Sequence, residues 1–191
     1  MAFNQMVFAG VDLSIGRKPV TFIALDRELN IIEIQKWSVS ESILCLEKYE
    51  KILVGITTSA RNSASSSFKQ ELSRINFSAL SEERDLRQFM ETKAQDCFRM
   101  LAGAKLLSGR TFEGRIQRSL ILYEEGFQIS DPMDFFEEIT RHKLMQGILP
   151  FENLYSAREL DAMVAAYMGW MTYNRPKQVS LQGDFILPAQ E

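Results

Sequence analysis

The sequence predicts an α/β domain whose mixed five-stranded sheet begins with three antiparallel strands, continues with parallel ones and is flanked by helices. Three observations lead there. FAGVDLS, PVTFIALD and IIEIQKWS, near the amino end, are apolar or alternating runs of strand length, rich in Val, Ile, Phe and Trp. SESILCLEKYE then switches to a helical period. KILVGITT follows as a continuous apolar run, the pattern of a strand buried on both faces. A strand, helix, strand crossover normally sets its second strand parallel to an earlier one, in a right-handed sense.

The short GRKP and RELN links make the first three strands an antiparallel meander. Ser40 is the expected cap of the first helix, with Ile43, Leu44, Leu46 and Tyr49 on its apolar face. Ser59 to Ser67 lacks periodicity and reads as a loop leaving the carboxyl end of the central strand, where ligands usually sit in such sheets. A helix is expected from Ser81, with Glu82 and Glu83 near its positive end, through Phe89, Met90, Cys97 and Met100 to Leu107, ended by Gly109. A second spans Phe112 to Glu125 and stops at Gly126. FQIS is the expected fifth strand, and Met133 to Met145 a further helix. In SARELDAMVAAYMGWMTYN, Ser156 caps a helix whose Leu160, Met163, Val164, Tyr167 and Met168 share the face that packs on the sheet. QVSLQGDFILP reads as two short extended pieces joined by a turn at Gln182 to Asp184. Residues 1–191 therefore read as one domain with a helical insertion over 82–126.

Composition bounds the function. With 191 residues, 46% apolar and 25% charged, the chain can bury a sizeable core. A net charge of -3 and a pI of about 5.4 argue against sequence-blind adhesion to a polyanion. A local basic groove for nucleic acid stays open: between Cys97 and Leu122 stand Arg99, Lys105, Arg110, Arg115 and Arg118 against Glu113, as a phosphate track or as a solvated helix face. Apolar runs such as AMVAAYMGWM fall short of the ~20 residues that span a bilayer. With no leader-like start, no membrane association and a cytoplasmic location are expected. Cys45 and Cys97 are expected as buried thiols, and the lone His142 as a surface or capping residue.

Three features are expected to meet at one sheet edge: Asp12 after the first strand, Thr57-Thr58-Ser59 after the fourth, and Asp161 near the start of the last long helix. Each has a plain structural reading beside it. Asp12 can cap a turn, Asp161 can pair with Arg158 one helical turn earlier, and the hydroxyls can simply be solvated. Met163, Met168 and Met171 read as core.

GVDLS with the strand VTFIALD after it, GRTFEGRIQRSL, RELDAMVAAYMGW and the closing GDFILP occur in an order and spacing that resembles the predicted ribonuclease-H-like nucleases of domain-of-unknown-function family 429. The resemblance covers nearly the whole chain. It implies a ribonuclease-H-like fold and a metal-dependent phosphodiester hydrolase in which Asp12 and Asp161 are catalytic and hold Mg²⁺ or Mn²⁺. Such sites use several carboxylates because two metal ions, ~4 Å apart, must be held while they bridge the scissile phosphate. Arg17 and Lys18 in the first turn, with Thr57 and Thr58, are the candidate phosphate contacts. The chain departs from the family pattern at three places. Arg158 stands where a histidine is frequent, and Thr57 where the fourth strand ends in an aspartate followed by Ala-Pro. Ser130-Asp131-Pro132 is shorter than the expected Glu-x-x-Pro, so Asp131 substitutes only with a shifted register. A neutral hydroxyl is a poorer Mg²⁺ ligand than a carboxylate, so catalysis is expected to be weakened or lost. The alternative is a non-catalytic binding or scaffold protein on the same fold. A sugar-kinase-like ATPase shares the strand order but needs a glycine where Ser14 stands and two lobes that 191 residues do not hold.

Overall fold

The structure is a computed structural model that describes residues 5–13, 19–58, 63–81, 85–134, 146 and 154–189, with backbone alone at 58, 63 and 64. Its strands are β1 (Val7–Leu13), β2 (Val20–Leu25), β3 (Ile31–Trp37), β4 (Ile52–Thr58), β5 (Ser78–Ala79), β6 (Arg87–Thr92), β7 (Val179–Gln182) and β8 (Phe185–Pro188). The helices are α1 (Val39–Leu46), α2 (Ser63–Arg74), α3 (Ala94–Ala102), α4 (Phe112–Glu124) and α5 (Ala157–Asn174). Six strands form one sheet in the order β3-β2-β1-β4-β6-β5, and β7 and β8 form a separate hairpin. β1, β2 and β3 pair antiparallel, as the short links between them require. β4 joins β1 in parallel after the α1 crossover, and β6 joins β4 in parallel.

Two apolar layers clothe the sheet. One face, with Phe8, Ile23, Leu25, Leu53 and Met90, packs under α5 together with α3 and α4. The other, with Val11, Phe22, Val54, Ile56 and Phe89, packs on α1 and α2 through Leu46, Phe68 and Leu72. α5 comes closer to the sheet than side chains would allow. A Cβ added to Gly10 would lie 1.8 Å from the Ala162 carbonyl oxygen, and one at Gly55 2.0 Å from that of Ala165. The helix thus rests on two glycines of the central strands, its own Ala162, Ala165 and Ala166 fully buried.

The structure corrects the expected layout in several places. RQFMET is strand β6, so the helix expected from Ser81 to Leu107 is a strand followed by α3, which ends at Gly103 in the left-handed region and not at Gly109. Phe89 and Met90 fall on opposite faces of a strand buried on both sides, which gives no alternation to read. Among the described residues FQIS pairs with no strand; β6, ahead of the helices, takes its expected place, and the short β5 beside it makes the sheet six-stranded and not five-stranded. The 82–126 segment is consequently not a purely helical insertion. Ser38, not Ser40, caps α1, in a capping box with Glu41, and Leu44 is 60% exposed. The loop expected over Ser59 to Ser67 gives way to α2 at Ser63. The expected helix from Met133 to Met145 and His142 lie almost wholly outside the described residues. α4, α5 with its Ser156 capping box, and the β7-β8 hairpin stand where expected.

Candidate functional site

Sheet register gathers the polar residues. Lys36, Thr21, Asp12, Thr57 and Thr92 are successive cross-strand neighbours on β3, β2, β1, β4 and β6. Strand side chains alternate, so Asp12, two residues after Gly10, and Thr57, two after Gly55, face α5 as those glycines do. Both lie at the carboxyl ends of parallel strands. The first turn of α5 comes down on this row. Lys36 pairs with Glu159 at 3.0 Å, and Glu159 also closes the capping box with Ser156. The Lys36 and Ser156 contacts hold the Glu159 carboxyl below its usual range against the opposing effect of burial.

Asp12 and Asp161 converge here as expected, but their partners cross over. Arg158 Nε lies 3.9 Å from Asp12 Oδ2, and Asp161 Oδ1 lies 3.4 Å from Nη1 of Arg118 on α4. The expected Arg158–Asp161 pairing along the helix is therefore not the one formed. Burial raises the Asp12 carboxyl from 3.8 to about 7, the Asp161 charge pushes in the same direction, and Arg158 opposes both. Burial likewise raises Asp161 to about 6, against the pull of Arg118.

Thr57 is 3% exposed, and its hydroxyl accepts the Ala94 N–H at 3.3 Å, at the start of α3. Its neighbour Thr92 donates to the Ile186 carbonyl at 2.7 Å, tying the β7-β8 hairpin to the row. Thr21 is fully buried, and its hydroxyl has no hydrogen-bond partner among the described residues. The side chain of Thr58 and the whole of Arg17 and Lys18 lie outside the described residues. Asp131 caps its own turn by accepting the Met133 N–H at 2.8 Å.

Three of the five cations between Cys97 and Leu122 have partners, while Lys105 and Arg110 are exposed. Arg115 donates to the carbonyls of Tyr155 (2.7 Å) and Leu154 (2.6 Å), fixing the chain just ahead of α5. Arg99 pairs with Asp96 at 3.0 Å, and Arg118 is only 3% exposed. Sequence reasoning placed Arg118 in the basic run and missed its role. The signal was there: Gly114, Arg118, Ile121 and Leu122 recur at the spacing of one buried helix face.

Among the described residues no group of three or more His, Cys, Asp or Glu side chains is placed to hold a metal ion. Cys45 and Cys97 are buried free thiols, each pushed up to about 12, chiefly by burial. A cavity of about 970 Å³ opens at the other end of the strands, by Met6, Lys51, Tyr173 and Pro176, and is lined by neither Asp12 nor Asp161. No helix among the described residues is long and apolar enough to cross a membrane. No family model matches the chain, and no curated protein matches it.

Proposed function

We propose that this protein is a non-catalytic binding or scaffold protein on a ribonuclease-H-like fold. The observation that carries the reading is Thr57. Where a two-metal site needs a bridging acid, the β4 position beside Asp12 carries a buried hydroxyl already engaged with the Ala94 N–H. The charge balance supports the same reading. Two carboxylates face two guanidiniums, so the donor set is neutral before any metal enters, whereas a Mg²⁺ or Mn²⁺ pair requires an excess of anionic oxygen ligands. The residues described therefore do not fit a two-metal centre. The β3-β2-β1-β4-β6 order and the family resemblance support the fold assignment.

The test is a cleavage assay on the purified full chain with RNA, DNA and hybrid substrates and either Mg²⁺ or Mn²⁺. No cleavage is expected, and Asp12→Asn and Asp161→Asn should leave the cellular role intact. Metal-dependent cleavage that disappears in a folded Asp12→Asn variant would overturn the proposal. One observation favours the second reading, a weakened metal-dependent nuclease: Asp12 and Asp161 do meet at the carboxyl ends of the parallel strands.

A further inference from the structure

We infer that the guanidinium of Arg118 is the resident cation of the carboxylate site, held in a seat built by four parts of the fold. The inference rests on the non-catalytic reading and names what occupies the site in place of an external ligand.

Four parts of the chain make the seat. From α3, Gln95 Oε1 accepts from Nη2 at 2.5 Å, and the Phe98 ring lies 5.1 Å from the guanidinium carbon. From α5, Asp161 Oδ1 accepts from Nη1 at 3.4 Å. α4 supplies the arginine on its buried face, between Gly114 and Leu122. The loop ahead of α4 supplies Gly109. A Cβ there would fall 1.8 Å from Nη1 and 2.3 Å from the guanidinium carbon. Gly109 is not among the positive-φ glycines, so its backbone makes no demand for glycine. A methyl at 109 would have to push the end of the Arg118 side chain out of its present position.

An arginine that is 3% exposed needs opposite charge and hydrogen bonds to offset its desolvation. Asp161 and Gln95 provide both, and the aromatic face adds a cation–π contact. Arg158 completes the balance at Asp12, with its Nη1 also donating to the Pro19 carbonyl at 3.2 Å. Arg118 Nε stays without a partner among the described residues. The planar group bridges α3, α4 and α5, and so positions Asp161 over the sheet.

The test is chemical rescue with a double-mutant cycle, both read by equilibrium unfolding of the full chain. Arg118→Ala should lose stability and regain part of it from millimolar guanidinium or methylguanidinium, well below denaturing concentrations, but not from equal tetramethylammonium. Arg118→Met and Asp161→Asn should couple by about tenfold or more in the unfolding constant. Gly109→Ala should mimic Arg118→Met. Should Arg118→Ala fail to fold, side-chain nitrogen NMR of the unsubstituted protein decides: a slowly exchanging Arg118 guanidinium that shifts in Asp161→Asn supports the seat. Additive substitutions, absence of rescue, or a freely exchanging guanidinium would overturn the inference while leaving the non-catalytic reading standing. Metal-dependent cleavage by the unsubstituted protein would instead remove the reading itself. Stabilisation of the unsubstituted protein by Mn²⁺ that is lost in Asp161→Asn would overturn the inference, because it would put a metal where Arg118 is assigned.

Discussion

Asp12→Asn should stabilise this protein at alkaline pH, although Asp12 is the residue that most resembles a catalytic one. Burial and the Asp161 charge move its carboxyl from 3.8 to about 7. At 1.36 kcal/mol for each pH unit between those values, the ionised form carries a penalty of about 4 kcal/mol above pH 7. Asparagine keeps the volume and removes the charge. It also gives up the Arg158 contact, which at 3.9 Å, with a third of the arginine side chain exposed, is worth ~0.2–1 kcal/mol. Asn further replaces an acceptor oxygen by a donor that needs a partner, so the net expected gain at pH 8 is about 1–3 kcal/mol. For a chain of this size that corresponds to roughly 3–10 °C in melting temperature.

The pH dependence has a defined sign. Between pH 7 and 4 the folded Asp12 binds a proton that the unfolded chain does not, so its contribution to stability rises as pH falls and levels off below the unfolded value. In Asp12→Asn this slope is absent. Urea unfolding of both proteins at pH 8 and pH 5 should show the advantage of the variant shrinking or vanishing at the lower pH, with unchanged m-values. A variant that is less stable at pH 8, or equally favoured at both pH values, would refute the assignment of Asp12 as a desolvated, like-charge-coupled acid.

Gly10→Ala places a methyl 1.8 Å from the Ala162 carbonyl, so α5 must lift from the sheet; a loss of about 3 kcal/mol or more is expected, measured by urea unfolding. Thr57→Asp adds a buried acid opposite Asp12 and exchanges the hydroxyl that accepts the Ala94 N–H for a carboxylate; like-charge repulsion and burial should make the variant less stable than its parent without metal, and it should gain stability from Mn²⁺, read as a thermal shift. Ser156→Ala breaks the capping box at the α5 amino end and should lower stability by about 1 kcal/mol, detected by the same unfolding assay. Arg115→Ala removes two charge-assisted bonds to the Leu154 and Tyr155 carbonyls; faster amide exchange at the start of α5 is the expected readout.

Much of the sheet was legible because its signals are local. The meander follows from short links, β4 from a continuous apolar run, and α5 from a Ser156-Glu159 capping box ahead of an apolar face. β6 was not, because Phe89, Met90, Cys97 and Met100 fit a helical spacing although a strand and a helix share them, separated only by Lys93. The site was half legible. Asp12 and Asp161 could be paired from element order, but the partner of Asp161 lies 43 positions away in sequence, and nothing local singles out Arg118 from Arg115 or Arg110. Only the helical phase does so, by placing Arg118 with Gly114, Ile121 and Leu122 on the buried face.

The meeting of Asp12 and Asp161 has a packing cause that does not depend on catalysis. In both central strands a glycine precedes the polar residue by two positions, Gly10 before Asp12 and Gly55 before Thr57, on the same sheet face. The glycines let α5 descend backbone to backbone, which brings its first turn, with Arg158 and Asp161, down over the carboxyl ends of β1 and β4. The close approach itself depends on the glycines at 10 and 55 and not on an acid at 57. A threonine there can therefore change the chemistry of the site without disturbing the architecture that marks it, and the convergence of two acids is a weaker argument for hydrolysis than the identity of the third residue in the row. The sheet geometry locates the site. The cations facing its acids are two arginines, Arg118 and Arg158, and on the proposed reading they stand where an external cation would.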